Sequence, residues 1–299
     1  MSTKIKNLSP VVVFAYNRLD HLKKTIVSLK KCNLSKHSNL IIYLDNYKKI
    51  SDIEKVHNIK KYCLTIKGFK TIKIINRKKN YGMSKNIIFG VSHTLKKFKK
   101  GIFLEDDMIL DKYFLEYMNY YLEFYKDNNK ISSIHGYSYP TNKKLPDYFF
   151  LKGADCWGWA TWLRSWDIFS NDSKDLISKI KNKGLVKEFN FNNSYNYFNM
   201  LKQNISKKNK SWAINWYASC FLKNKLTLYP GYSLVHNFGN DLSGTNCEKT
   251  DIFNVKLKNK PLKFISVQTL ESEYAKKQFE SFFLSIMSLK NRIIRYFGV

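Results

Sequence analysis

Three consecutive carboxylates, Glu105, Asp106 and Asp107, stand between the apolar residues 102–104 and 108–110. Adjacent like charges repel, so packing alone gives no reason to cluster them at a strand end, and a divalent cation would relieve the repulsion. Hard cations such as Mn²⁺ or Mg²⁺ take carboxylate oxygens and share their remaining positions with substrate phosphates. The triplet therefore points to a metal–diphosphate site. Helix capping is the competing explanation, because acids favour helix N-termini. Asp111 can fill that role four residues later, which leaves the triplet unexplained.

The elements that would carry the triplet are legible from periodicity. Apolar runs at 10–16, 40–44, 71–75 and 101–104 read as strands, and amphipathic stretches at 21–31, 53–63 and 84–98 read as helices. Asp20 is a plausible N-cap for the first of these. Such alternation predicts an α/β chain with a mostly parallel sheet flanked by helices. Asn17-Arg18, Asp45-Asn46, Asn76-Arg77 and the acidic triplet all fall at C-terminal strand ends, the edge where open α/β sheets bind ligands. Neither GxGxxG nor GxxxxGK[ST] occurs, which disfavours a dinucleotide site and a P-loop.

The middle of the chain differs. Trp157, Trp159 and Trp162 fall within six positions, and Trp212 and Trp216 follow. Most of these rings suit a core, with one or two suited to stacking on a sugar. Residues 236–247 form a Gly/Asn/Ser-rich loop long enough to act as a lid. The tail from 271 to 299 is helical by pattern, and 282–297 mixes apolar residues with Lys290, Arg292 and Arg295. That end fits a membrane surface or packing on the sheet equally well. The expected organisation is a nucleotide-sugar-binding half over 1–135, an acceptor-binding and catalytic half of α+β character over 136–250, and a helical tail over 251–299.

Composition narrows the classes. The chain has 299 residues, a net charge of +29, 16% aromatic residues and five cysteines without a CxxC pair. The aromatic content excludes a disordered chain. The cysteine pattern argues against a zinc ribbon or disulfide framework and fits a reducing compartment. No signal peptide is visible, and no apolar run approaches the ~20 residues a membrane span needs. The charge would suit nucleic acid, but only five cations are arginine, the residue that base and phosphate readers favour. No nucleic-acid partner is expected, whereas an anionic membrane surface is.

The motif order is strand-AYNR, strand-LDN, NYGMSKN, strand-LEDD, DCWGWATW, then WAINWYASCFLKNKLTLYPGYSLVHNFGNDLSGTNC. It resembles GT-A-fold glycosyltransferases, specifically bacterial relatives of N-acetylglucosaminyltransferase I, from about residue 9 to 247. The resemblance implies a GT-A, Rossmann-like fold and a metal-dependent, inverting transfer of a hexosyl or N-acetylhexosaminyl group. The donor would be a UDP-sugar and the acceptor a surface-polysaccharide or lipid-linked glycan, at the cytoplasmic face of a membrane. It implies that Asn17 and Arg18 contact the nucleotide, Asp45 holds uracil or ribose, and Asn80 lies near the donor. Asp107 would be the Mn²⁺ or Mg²⁺ ligand, with Glu105 and Asp106 addressing ribose and donor sugar. Trp157, Gly158 and Trp159 would face donor sugar and acceptor, and Asn215-Trp216 matches the segment that carries the base in those relatives. Asn215 stands where they have the basic aspartate, and Asn246 where bacterial relatives often have histidine. Asp155 and Asp241 are therefore the candidate catalytic bases, Asp155 being slightly favoured. A glycan-binding relative with impaired catalysis is the alternative.

Overall fold

A computed structural model describes residues 7–206, 211–243 and 250–297, the side chains of 288–297 excepted. Strands Val11–Ala15 (β1), Asn39–Leu44 (β2), Thr71–Asn76 (β3) and Lys100–Glu105 (β4) are parallel in the order β3-β2-β1-β4. Helices Leu19–Lys31 (α1), Ile53–Thr65 (α2) and Met83–Phe98 (α3) make the crossovers. All five residues of β1 are buried, because helices cover both faces of the sheet, so its run is apolar throughout rather than alternating. The edge strand β3 is partly exposed and carries Thr71, Lys73 and Asn76 outward.

The chain continues through Met108–Leu110 (β5), Phe114–Phe124 (α4), Ile131–His135 (β6), Tyr148–Lys152 (β7) and Trp159–Trp162 (β8). Then come helices Leu163–Trp166 (α5), Ser173–Asn182 (α6), Val186–Phe189 (α7), Tyr197–Ile205 (α8) and Trp212–Leu222 (α9). Leu226–Pro230 (β9), Val235–Asn237 (β10) and Glu273–Phe297 (α10) complete it. β8 runs antiparallel between β4 and β6, and β9 and β7 extend the sheet to eight strands. The expected mostly parallel α/β architecture therefore forms, and one sheet runs through both expected halves. β5 and β10 make a separate antiparallel pair, Met108 opposite Asn237 and Leu110 opposite Val235.

Two expectations need correction. Helix α1 begins at Leu19, with Arg18 rather than Asp20 at the cap position, and Asp20 lies in the first turn, where its charge suits the helix dipole. The tail is helical only from Glu273. Most of residues 251–272 are an extended strap that half-buries Val255, Leu257, Leu262, Phe264 and Val267 against α4 and its neighbours, and turns lysines outward. Its spacing follows a period near two, and Pro261 removes a helical donor. The Tyr121 hydroxyl donates to the Ile265 carbonyl at 3.0 Å, and Tyr120 stacks on Phe264. Helix α10 then buries Ala275, Phe279, Phe283 and Ile286, one stripe at helical spacing. The basic side chains beyond 288 lie outside the described residues. No helix among the described residues is long and apolar enough to cross a membrane.

Candidate active site

β4 ends at Glu105, the backbone turns through Asp106 and Asp107, and β5 carries it away. The turn is held from two sides. The Thr25 hydroxyl of α1 donates to the Asp106 carbonyl at 2.7 Å and accepts the Met108 N–H at 3.0 Å. From the late loop, the Phe238 N–H donates to the Asp107 carbonyl at 3.0 Å. Arg18 pairs with the Asp106 carboxylate and with Asp107 Oδ2, the latter at 2.7 Å. Despite its burial, the two carboxylates keep Arg18 firmly protonated. Burial and then the neighbouring acids push the Glu105 carboxyl up, and burial pushes Asp106 up against the pull of Arg18. One guanidinium thus faces three acids, so the cluster is short of positive charge.

Asp107 Oδ1 is buried and has no hydrogen-bond partner. A buried carboxylate oxygen left unpaired is costly, and a hard cation satisfies it. The residues present therefore fit a divalent metal. Among the described residues no three His, Cys, Asp or Glu side chains converge as a complete cage. A Mg²⁺-type site uses only one or two carboxylates and shares the ion with substrate phosphates. Gly239 is held against the same carboxylate, where an added Cβ would stand 2.1 Å from Asp107 Oδ2. Only glycine lets the late loop approach so closely.

The other strand-end residues converge on this edge with their side chains already engaged. Asp45 accepts from the Tyr81 and Gly82 N–H groups, both at 2.8 Å, which ties β2 to the start of α3. Gly82 has a φ of 75°, a region side chains disfavour. The Asn80 amide donates to the Asn46 carbonyl at 2.6 Å. Asn17 donates to Asp52 Oδ1 at 3.0 Å, while Tyr16 donates to Asp52 Oδ2 at 2.7 Å. Asp52 was not foreseen; its only signal is an acid at the start of α2. Arg77, at the end of β3, lies over the rings of Phe89, Tyr81 and Tyr43 at 4.2, 4.9 and 5.0 Å.

The aromatic segments divide between core and cavity. Trp159 and Trp216 are buried in a cluster with Trp166 and Trp212, Trp159 centred 5.5 Å from Trp212. Asn215 is buried too, and its Oδ1 accepts from the Ser173 hydroxyl and the Asn204 amide. Gly158 packs where a Cβ would meet Val235 at 2.7 Å. Trp159, Gly158, Asn215 and Trp216, expected at the substrate, are thus all engaged in packing or hydrogen bonds within the fold. Burial of these bulky rings between sheet and helices leaves no face free. Trp157 instead borders a cavity of about 240 Å³ with Asp155, Tyr139, Tyr197, Tyr217 and Phe283.

Asp155 stands at this cavity. Its Oδ2 accepts from the Tyr139 hydroxyl at 3.0 Å and its Oδ1 from the Cys156 N–H at 2.8 Å. His135 Nε2 lies 4.0 Å from Asp155 and accepts the Trp157 N–H at 3.0 Å. Burial lowers the pKa of this imidazole, and a neutral ring is what the accepting role requires. Asp241 lies elsewhere, on the late loop, 2.9 Å from His21 Nε2 and accepting the Ser243 N–H at 2.9 Å. Slight burial would raise its carboxyl, but the Ser243 and His21 contacts outweigh that and hold it down to about 2. So weak a base is poorly matched to proton abstraction near neutral pH. His21, which anchors the loop, had no sequence signal of its own. Asn246 and Cys247 lie outside the described residues.

Solved structures similar to this chain include TarS from S. aureus, at 15% identity over 49% of this chain and 25% of that one, with a TM-score of 0.31. S. aureus TarS 1-349 matches at 16% identity over 55% of this chain and 45% of the other, with a TM-score of 0.33. A mannosyltransferase, PcManGT from Pyrobaculum calidifontis in complex with GDP-Man and Mn²⁺, matches at 6% over 45% and 37%, with a TM-score of 0.33. The chain thus spans a quarter to under half the length of these structures. No curated protein matches. The family model described as glycosyl transferase family 2 matches residues 11–180, more than half the chain, from β1 through the acidic turn to α6. The α/β sheet and that match together make this chain a member of glycosyl transferase family 2, with the GT-A architecture.

Proposed function

We propose that the chain transfers a hexosyl or N-acetylhexosaminyl group, with inversion, from a UDP-sugar to a hydroxyl of a surface-polysaccharide or lipid-linked glycan, at the cytoplasmic face of a membrane. The observation that carries the reading is Asp107 Oδ1, buried and unpaired beside two further acids at the end of β4. Asp107 would hold Mn²⁺ or Mg²⁺. The bound ion would supply electrostatic stabilisation of the departing diphosphate. Arg18 brings a fixed positive charge to the same edge. Asn17, Asp45 and Asn80 shape the uridine side, Asp45 chiefly by fixing the turn into α3. Glu105 and Asp106 face ribose and donor sugar.

Asp155 acts as general base, accepting the proton of the acceptor hydroxyl as it attacks. Tyr139 orients the carboxylate and Trp157 offers a ring face to the acceptor sugar. Asp241 fastens the late loop over Asp107 rather than moving a proton. The test is UDP release from a panel of UDP-sugars with Mn²⁺, with and without glycan acceptors. Release that needs metal and rises with an acceptor supports transfer. Acceptor binding without release under any donor would replace it with the glycan-binding reading.

A further inference from the structure

The exposed face of α1 carries a feature that sugar transfer does not use. Lys24, Val27, Ser28 and Lys31 recur at i, i+3, i+4 and i+7, so they form one stripe. Together with Ile109 and Leu110 of β5, Lys112 and Leu257 of the strap, they line an open groove of about 500 Å³. Its floor is apolar, and Val27 is 49% exposed on a helix that buries Leu22, Ile26 and Leu29. Its rim is three lysines. The ion pairs of the described lysines all lie elsewhere, so none of these three is paired with an acid among the described residues. The groove also adjoins the active edge: Ile109 is two residues past Asp107, and Lys24 sits 5.4 Å above the Phe238 ring of the late loop.

An apolar floor ringed by unpaired ammonium groups is complementary to an anionic amphiphile. A phosphate would meet the lysines, and the first methylenes of its chains would cover Val27 and Leu257. Neither a free sugar nor an acidic peptide uses both features. We infer that this groove docks the headgroup of an anionic phospholipid, seating α1 on the membrane so that the acidic turn opens beside the bilayer surface. A lipid-linked acceptor would then reach the site without leaving the membrane.

The test is co-sedimentation of the full chain with phosphatidylglycerol/phosphatidylcholine vesicles, a readout that needs no catalysis. A lysine near an anionic surface is worth about fivefold in partitioning. Lys31→Glu/Lys112→Glu is therefore expected to weaken binding by more than about 25-fold. Lys181→Glu/Lys183→Glu, the same charge change at the exposed end of α6, is expected to weaken it only slightly. Val27→Ser is expected to weaken binding several-fold at unchanged charge. UDP release in the absence of vesicles should stay at the parental rate in all three variants. Equal losses in the two double variants would reduce the effect to net charge and overturn the inference. So would full binding in Lys31→Glu/Lys112→Glu, or displacement by inorganic phosphate at matched ionic strength.

Discussion

Asp107→Asn is the perturbation that separates metal chemistry from folding. The two side chains share a shape, so the amide oxygen can take the place of Oδ2 and go on accepting from Arg18, while the amide nitrogen falls at the unpaired Oδ1 position and the charge is lost. Oδ1 has no partner to lose, and Arg18 retains its pairing with Asp106. The charge of Asp107 also helps to push the Glu105 and Asp106 carboxyls up, so removing it relieves repulsion among the three acids. Thermal stability without metal should therefore hold or rise by a few degrees. Turnover should fall on the order of 10²–10³-fold, about 3–4 kcal/mol of transition-state stabilisation, as expected when one preorganised electrostatic contact to a leaving group is lost. Metal binding gives a second readout. At a hundredfold excess over its Kd, Mn²⁺ should stabilise the parent by about 2.7 kcal/mol, roughly 5 °C in Tm for a chain of this size. The variant should show little of that shift. The assays are UDP release and thermal unfolding with and without Mn²⁺. Turnover within threefold of the parent, or a Tm that collapses together with activity, would refute the reasoning.

Asp155→Asn is expected to lower kcat by about 10²–10⁴-fold with little change in donor KM, whereas Asp241→Asn leaves most of kcat; steady-state UDP release distinguishes them, and near-normal turnover in both would end the assignment of the base. Gly239→Ala forces a methyl into Asp107 Oδ2 and should raise the Mn²⁺ concentration needed for half-maximal activity at least tenfold, with far-ultraviolet dichroism unchanged. The Asp241 carboxyl sits at about 2 against an ordinary 3.8. A depressed acid stabilises above its ordinary value and loses that contribution as pH falls towards the lower one. Urea unfolding should therefore show the gap between parent and Asp241→Asn narrowing from pH 5 to pH 2. Phe279→Ala empties a buried position where α10 meets the sheet and should cost about 3–5 kcal/mol in urea unfolding.

The sequence was most informative where physics is local. The four strands, the three crossover helices and the strand-end positions of Asn17, Asp45 and Asp107 all follow from side-chain periods of two and 3.6. It was least informative where two patterns look alike. The strap and α10 are both lysine-rich with regularly spaced apolar residues, and only Pro261 and the alternation of Val255 and Leu257 hint that one is extended. Tryptophans 157 and 159 are two residues apart, yet one borders a cavity and the other fills the core, because Trp157 precedes β8 and Gly158, at a φ of 68°, turns the backbone between them.

By itself, then, the chain determined that three acids would end a buried parallel strand, and it pointed to a cation to balance them. Only the tertiary structure decided which oxygen stays unpaired, which carboxylate sits in the aromatic cavity, and which is spent on holding a loop. The partners responsible are far apart in the chain: Arg18 and Asp106 are separated by 88 residues, His21 and Asp241 by 220. Periodicity reports the face on which a residue lies. The occupant of the space opposite is set when distant segments pack, and that occupant fixes a carboxylate's charge, reach and role.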